Sequence, residues 1–251
     1  MRIAFVGLGE AASAFLAGWG RARSASVRAY DIKSRDPRTS QEIADRADSL
    51  GVVACAAPEE ALENAEIVFS TVTADQAVVA AESYARFLPD GAIWCDLNSC
   101  APHSKVRAME IIAGAGGRYL DVAVMAPVHP KLNLVPCLIS GPDAEELEPM
   151  LSALPTQVRV VGPEVGRASS VKMVRSIMVK GLEALTAECT LAAVAAGVED
   201  EVFPSLKAGR FPIDVAARAA YNFERSMTHG RRRAAEMDEV AKMLTDLGLP
   251  N

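Results

Sequence analysis

The chain has 251 residues, half of them hydrophobic and 23% charged, enough for one large domain or two smaller ones with real cores. A formal net charge of −6 argues against a nucleic-acid or anionic-membrane partner, and the single basic run of Arg231, Arg232 and Arg233 is too short to reverse that. No stretch approaches the ~20 apolar residues of a membrane helix. Glu10 and three glycines interrupt the N-terminal apolar run that would otherwise suggest a signal peptide, so a soluble, cytoplasmic protein is expected.

In chain order, RIAFVG reads as a buried strand and EAASAFLAGWGRA as a helix. SVRAYD is a second strand, followed by a Ser-Arg-Asp-Pro-Arg-Thr loop. VVAC, EIVFSTV, AIWCDL and RYLDVAV continue as strands, separated by helices that include ADQAVVAAESYARFL and PHSKVRAMEIIAGA. This alternation is the signature of βαβ units on a parallel sheet. LVPCLIS, the helix in DAEELEPMLSAL and the strand QVRVVG are expected to extend the sheet. After Gly162 no further strand is expected. One helical pattern runs from Pro163 to Ala196, ~50 Å at 1.5 Å per residue, long enough to link two domains. Helical patterns follow in VAARAAYNFERSM and RRRAAEMDEVAKML. The expected architecture is an α/β Rossmann domain with a mainly parallel sheet over residues 1–162. An all-α domain over 163–251 follows it, opening with the long interdomain helix.

Gly7-Leu8-Gly9-Glu10-Ala11-Ala12 is a GxGxxA fingerprint between the first strand and first helix. Its first glycine suits a tight turn and its second lets the backbone approach a pyrophosphate. The small Ala12 lets helix and strand pack closely, and the helix N-terminus offers amides to the phosphates. Asp31 ends the second strand, where an acid takes the adenosine ribose hydroxyls. Asp31 favours NAD, whereas Lys33 and Arg35 suit a 2′-phosphate, which leaves NAD and NADP both open. Val72, the last residue of EIVFSTV, and Thr73 after it join the candidate cofactor contacts.

Five cysteines form no CxxC pair and no finger spacing, consistent with reduced thiols. His103 and His129 lack carboxylate or thiol partners at ligand spacing, and no metal is expected. Asp96 and Asp121 sit at expected strand ends, where turn capping and chemistry are both open.

Hydride transfer at a nicotinamide leaves a proton for the protein to move, and the long helix holds a candidate. At 100° per residue Val171, Val174, Met178, Leu182 and Leu185 share one apolar face. Ser169, Lys172, Ser176, Lys180 and Glu183 form a narrow stripe opposite. One reading is a solvated polar face. The other places the stripe's first turns in the cleft between the halves, with Lys172 reaching the substrate oxygen at a lowered pKa.

GLGEAASAFLAGW, DLNSCAP, LDVAVMAP and GRASSVKMVRS together resemble the β-hydroxyacid dehydrogenase superfamily, which includes the 6-phosphogluconate and 3-hydroxyisobutyrate dehydrogenases. KMVRSIMVKGLEAL and HGRRRAAEMDEV resemble its 6-phosphogluconate-dehydrogenase-like branch with a DUF1932 C-terminal domain. The resemblance covers nearly the whole chain and implies a homodimer through an interlocking helical domain. It implies that Asn98 and Ser99 lie near the nicotinamide ribose and that Lys172 transfers the proton, with Ser176 where relatives carry an asparagine. Val124, Met125 and Ala126 would line the substrate, although Met125-Ala126-Pro127 stands where relatives have Ser-Gly-Gly. That change implies a smaller, less polar carboxylate cradle. His229 and the neighbouring arginines are further candidates for an anionic small-molecule substrate, directly or across a dimer interface. The chain ends soon after LTDLGLPN, earlier than this branch leads one to expect. The expected activity is NAD(P)-dependent oxidoreduction of a small hydroxy acid or its keto form. The alternatives are an imine or pyrroline-carboxylate reductase and a non-catalytic NAD(P)-binding protein.

Overall fold

In this computed structural model, which describes residues 1–21, 25–209 and 212–250, strand and helix alternate from the start. The first units are β1 (Arg2–Val6), α1 (Glu10–Trp19), β2 (Ser26–Tyr30), α2 (Ser40–Leu50), β3 (Val53–Ala54) and α3 (Pro58–Leu62). Next come β4 (Ile67–Ser70), α4 (Ala77–Tyr84), β5 (Ile93–Asp96), α5 (Pro102–Gly114) and β6 (Arg118–Val124). β7 (Cys137–Ser140), α6 (Ala144–Ser152) and β8 (Val158–Val160) complete the sheet. The helices α7 (Arg167–Ala196), α8 (Glu199–Lys207) and α9 (Val215–Asp246) follow it.

The sheet order is β3-β2-β1-β4-β5-β6-β7-β8, and every pairing is parallel except β6 with β7. The first six positions have the strand order of a Rossmann fold. Ligands of such sheets bind beyond the carboxyl ends, where the order reverses between β1 and β4. Period-two alternation feeds two apolar layers. Ile3, Phe5, Ile67 and Phe69 pack with Phe15 of α1, Ile43 of α2 and Leu147 of α6. Ala4, Val6, Val68 and Trp94 pack with Leu62 of α3, Ala81 of α4 and Ile112 of α5. Burying each of the larger side chains contributes about 1.5–3 kcal/mol, so both faces of the sheet are anchored.

Several expected elements are trimmed. VVAC yields only the two residues of β3. ADQAVVAAESYARFL is one helix flanked by single 3₁₀ turns at Ala74–Gln76 and Ala85–Phe87. Ala22, the expected end of the first helix, lies outside the described residues. The long helix starts at Arg167 rather than Pro163, because Gly162 and Gly166 adopt φ of +145° and +95° and turn the chain before it. The two later helical patterns merge into the single α9, while α8, with Pro204 inside it, has no clear announcement in the sequence.

α7 and α9 run antiparallel, joined by Met173 with Val240 and Met243, by Lys180 with Glu236 at 2.6 Å, and by Glu183 with Arg233. The polar stripe of α7 is therefore the packed side, and the reading of it as a solvated face is corrected. It is the apolar side that faces outward: Val174, Met178 and Leu185 are 56%, 66% and 63% exposed.

Candidate active site at the strand ends

Gly7 ends the first strand at φ +91°, and a Cβ there would lie 2.7 Å from the Thr71 carbonyl oxygen. Both features require glycine. Gly9 differs: its backbone is in an ordinary extended region as the N-cap of α1, and a Cβ would meet nothing within 4 Å. The space in front of it is open. Leu8 and Ala12 are fully buried beneath the turn, while Ala11 and the exposed Glu10 begin the helix.

Asp31, just after β2, accepts hydrogen bonds from the Leu8 amide at 2.8 Å and the Lys33 amide at 2.9 Å. Each carboxylate oxygen thus carries one amide and keeps acceptor capacity for a hydroxyl. The Lys33 and Arg35 side chains are exposed, Arg35 over the Tyr30 ring at 5.5 Å. Arg46 of α2 donates to the Leu8 carbonyl oxygen at 2.8 Å and braces the same turn. Arg232 of α9 reaches Glu10 at 3.5 Å. No sequence signal marks Arg46, which acts from a separate helix; Arg232 belongs to the basic run beside His229, but no local pattern announces its contact with Glu10. The positive-φ turn, the open approach at Gly9 and the acid at the β2 end fit a dinucleotide.

At the neighbouring strand ends Thr71 donates to the Gly7 carbonyl oxygen at 2.7 Å. Val72 is partly buried and Thr73 exposed. Asn98 is buried, and its amide group donates to Ser70 Oγ at 3.0 Å and Asp96 Oδ1 at 2.8 Å. Beside it, Ser99 accepts from Lys172 Nζ at 2.5 Å. Burial pushes the Lys172 ammonium down to about 8, against the pull of Glu236 and with further repulsion from Lys105 and Lys180.

Val124 is buried at the end of β6. The Met125 amide donates to the Pro136 carbonyl oxygen at 2.8 Å, and its own carbonyl accepts from Arg175 Nη1 of α7 at 3.2 Å. Met125 packs with Ala123, Leu138 and Ala168, and Ala126 packs against the core on the α1 side. The substrate candidates therefore sit against the first turn of α7, near Lys172. Arg175, absent from the sequence-derived candidates, shares that place. Ser176 is partly buried one turn beyond Lys172, and among the described residues no hydrogen bond joins the two. His229 is partly buried on α9 and Arg231 exposed, and no bond among the described residues ties either to this cluster.

Asp96 does close a turn, accepting from the Asn98 amide at 2.9 Å, but it also holds the buried Lys105 at 2.8 Å. Asp121 lies within β6 rather than at its end and faces the same lysine at 3.4 Å. His103 does find a carboxylate, Asp246, 2.5 Å away. Among the described residues no group of three or more His, Cys, Asp or Glu is placed to hold a metal ion, and no helix is long and apolar enough to cross a membrane.

The family described as the NAD binding domain of 6-phosphogluconate dehydrogenase matches residues 2–162, and a domain of unknown function, DUF1932, matches residues 193–251. A conserved hypothetical protein from Sinorhizobium meliloti 1021 is 37% identical with a TM-score of 0.78, across 100% of this chain and 84% of that one. The conserved protein MTH1747, described as structurally similar to 3-hydroxyacid dehydrogenases, is 31% identical with a TM-score of 0.75, across 100% and 92%. An uncharacterized 28.5 kDa protein of Methanothermus fervidus is 28% identical over 97% of this chain and 91% of its own. The fold alone is shared with Mycobacterium tuberculosis 3-hydroxyisobutyrate dehydrogenase (15% identity, TM-score 0.68, 98% and 94% covered). It is shared also with the Streptomyces aurantiacus imine reductase (19%, 0.60, 100% and 89%).

Proposed function

The chain belongs to the 6-phosphogluconate dehydrogenase family of NAD binding domains, and from that premise we propose that it is an NAD(P)-dependent oxidoreductase of a small hydroxy acid or its keto form. The observation that carries the proposal is the Lys172–Ser99 contact beside the strand-end crevice. The glycine turn at Gly7–Gly9 and Asp31 hold the dinucleotide at one end, with Asn98 and Ser99 toward the nicotinamide. When bound, that group supplies the hydride acceptor or donor.

What remains for the chain is the proton. A lysine whose ammonium is lowered to about 8 has both forms available near neutral pH. Neutral Lys172 takes the hydroxyl proton during oxidation, and the ammonium returns it during reduction. The Ser99 hydroxyl, accepting one N–H, directs the remaining hydrogens or the lone pair toward the substrate oxygen. Met125 and Ala126 form a mainly apolar wall, and Arg175 beside them draws a carboxylate. Residues 1–162 would then be the dinucleotide-binding domain and 163–251 the substrate and dimerisation domain. The exposed stripe of Val171, Val174, Met178, Leu182 and Leu185 would be covered by a second copy.

A cyclic-imine reductase is the second reading, supported by the same apolar wall in place of a polar carboxylate cradle. Titration with NADH and NADPH by nicotinamide fluorescence, followed by panels of hydroxy acids, keto acids and cyclic imines, tests both. Turnover of keto or hydroxy acids supports the first reading, and turnover of imines alone supports the second. Tight cofactor binding with no turnover on any panel would make the chain a non-catalytic dinucleotide binder.

A further inference from the structure

Lys105 is a fully buried cation on α5, on the face that also carries the buried Ala101, Ala108 and Ile112. An ammonium is not placed there for packing alone, since burying a charge is costly unless it is paired and hydrogen-bonded. Its Nζ donates to the Asp96 carbonyl oxygen at 2.7 Å and to Asp96 Oδ1 at 2.8 Å, and faces Asp121 Oδ1 at 3.4 Å. The ion pairs are therefore one lysine between two carboxylates on adjacent strands, Asp96 and Asp121 being direct register partners.

Each carboxylate then grips one arm of the candidate site. Asp96 Oδ1 accepts from the Asn98 backbone and side-chain nitrogens at 2.9 and 2.8 Å, and Oδ2 accepts from Tyr119 at 2.6 Å. This fixes the segment that carries Ser99. Asp121 accepts from Ser169 Oγ at 2.7 Å and the Ser169 amide at 3.0 Å. Ser140 joins it at 3.2 Å and in turn accepts from the Ala168 amide at 3.0 Å. These bonds hold the first turn of α7 by taking up amides that have no partner within the helix, and Lys172 stands one turn further along.

We propose that Lys105 is a positioning residue: by joining Asp96 to Asp121 it holds the Ser99 segment and the first turns of α7 at the separation that brings Lys172 to Ser99. This rests on the reading of Lys172 as the proton-transferring group. The groups around Lys172 are Ser99, Cys137 of β7, Lys105 of α5, Lys180 of α7 and Glu236 of α9.

The test reads the titration of Lys172 without turnover, from its acylation rate by acetic anhydride against pH, resolved by peptide mass spectrometry. Lys105→Met, Lys105→Arg and Ser169→Ala are compared with the unaltered protein, and folding is checked by circular dichroism and NADH titration. The unaltered protein should titrate near about 8. Lys105→Met should move the midpoint up toward the ordinary lysine value and Lys105→Arg should restore it, but loss of the Lys105 charge, which itself repels Lys172, contributes to that rise. Where a substrate is known, turnover should fall roughly tenfold or more, as small misplacements in a site do. Ser169→Ala decides, since it removes the Oγ bond to Asp121 and leaves every charge in place; it too should raise the midpoint. An unchanged midpoint in a folded Ser169→Ala, or in a folded Lys105→Met, overturns the proposal. An ordinary lysine titration in the unaltered protein would instead overturn the reading of Lys172.

Discussion

Lys172 on α7 and Ser99 after β5 are separated by 73 residues of chain and by 2.5 Å in space. The contact brings a desolvated amine to the carboxyl edge of a parallel sheet, beside the turn that fits a dinucleotide. With the ammonium lowered to about 8, oxidation should gain a basic limb: kcat/KM rises with pH until Lys172 is neutral and then levels. Reduction should show the mirror image, falling above the same pH. A lysine lowered on folding binds fewer protons than in the unfolded chain between about 8 and its ordinary value. Global stability should therefore gain a rising contribution with pH across that window and none from Lys172 below it. Denaturant midpoints of the unaltered protein and Lys172→Met across the window check the sign.

The two glycines of the turn should respond oppositely. Gly7→Ala places a Cβ against the Thr71 carbonyl at positive φ and should cost about 1–3 kcal/mol or more of stability. A Cβ at Gly9 meets nothing within 4 Å, so Gly9→Val should fold normally while losing NADH and NADPH binding. Thermal denaturation and fluorescence titration separate the two effects. A Gly9→Val protein that binds as tightly as the original would remove the pyrophosphate from this turn.

Glu239 of α9 is 3% exposed and accepts from the Ala101 amide at 2.7 Å, satisfying a free amide at the start of α5. Glu239→Ala leaves that amide unpaired and strands Lys242, its other partner. The expected loss is about 1–3 kcal/mol, read from urea midpoints. An unchanged midpoint would mean that water replaces the carboxylate without cost.

Met178 and Leu185 are the most exposed members of the outward stripe on α7. Replacing both with glutamate should convert a dimer to monomers in analytical ultracentrifugation. The helical content should be kept, because both residues lie mostly exposed. A monomeric unaltered protein would leave the stripe without the partner proposed for it.

How much of this was legible depended on the range of the forces involved. The strands were, because burial on both faces leaves continuous apolar runs: RYLDVAV coincides with β6 residue for residue. The glycine turn was too, since its requirement at Gly7 is local and steric. Lys172 could be singled out by its stripe, but the direction of that stripe could not. An amphipathic helix ordinarily turns its apolar side inward, and here Glu236 and Arg233, from the distant helix α9, draw the polar side in instead. Lys105 was harder still. A single lysine in a thirteen-residue helix looks solvated, and only its place on the line of Ala101, Ala108 and Ile112 hints at burial. The start of α7 was hidden because the turn at Gly166 packs on Pro102, a contact that no local pattern contains.

The most direct test of the central claim is single-turnover oxidation of bound NADH or NADPH by a keto-acid substrate, in the unaltered protein and in Lys172→Met. The account predicts equal cofactor binding in the two, and hydride transfer slower in the variant by roughly 10²–10⁴-fold, the usual contribution of a positioned acid, with the pH limb near about 8 abolished. Equal rates and an unaltered pH profile in Lys172→Met would contradict it.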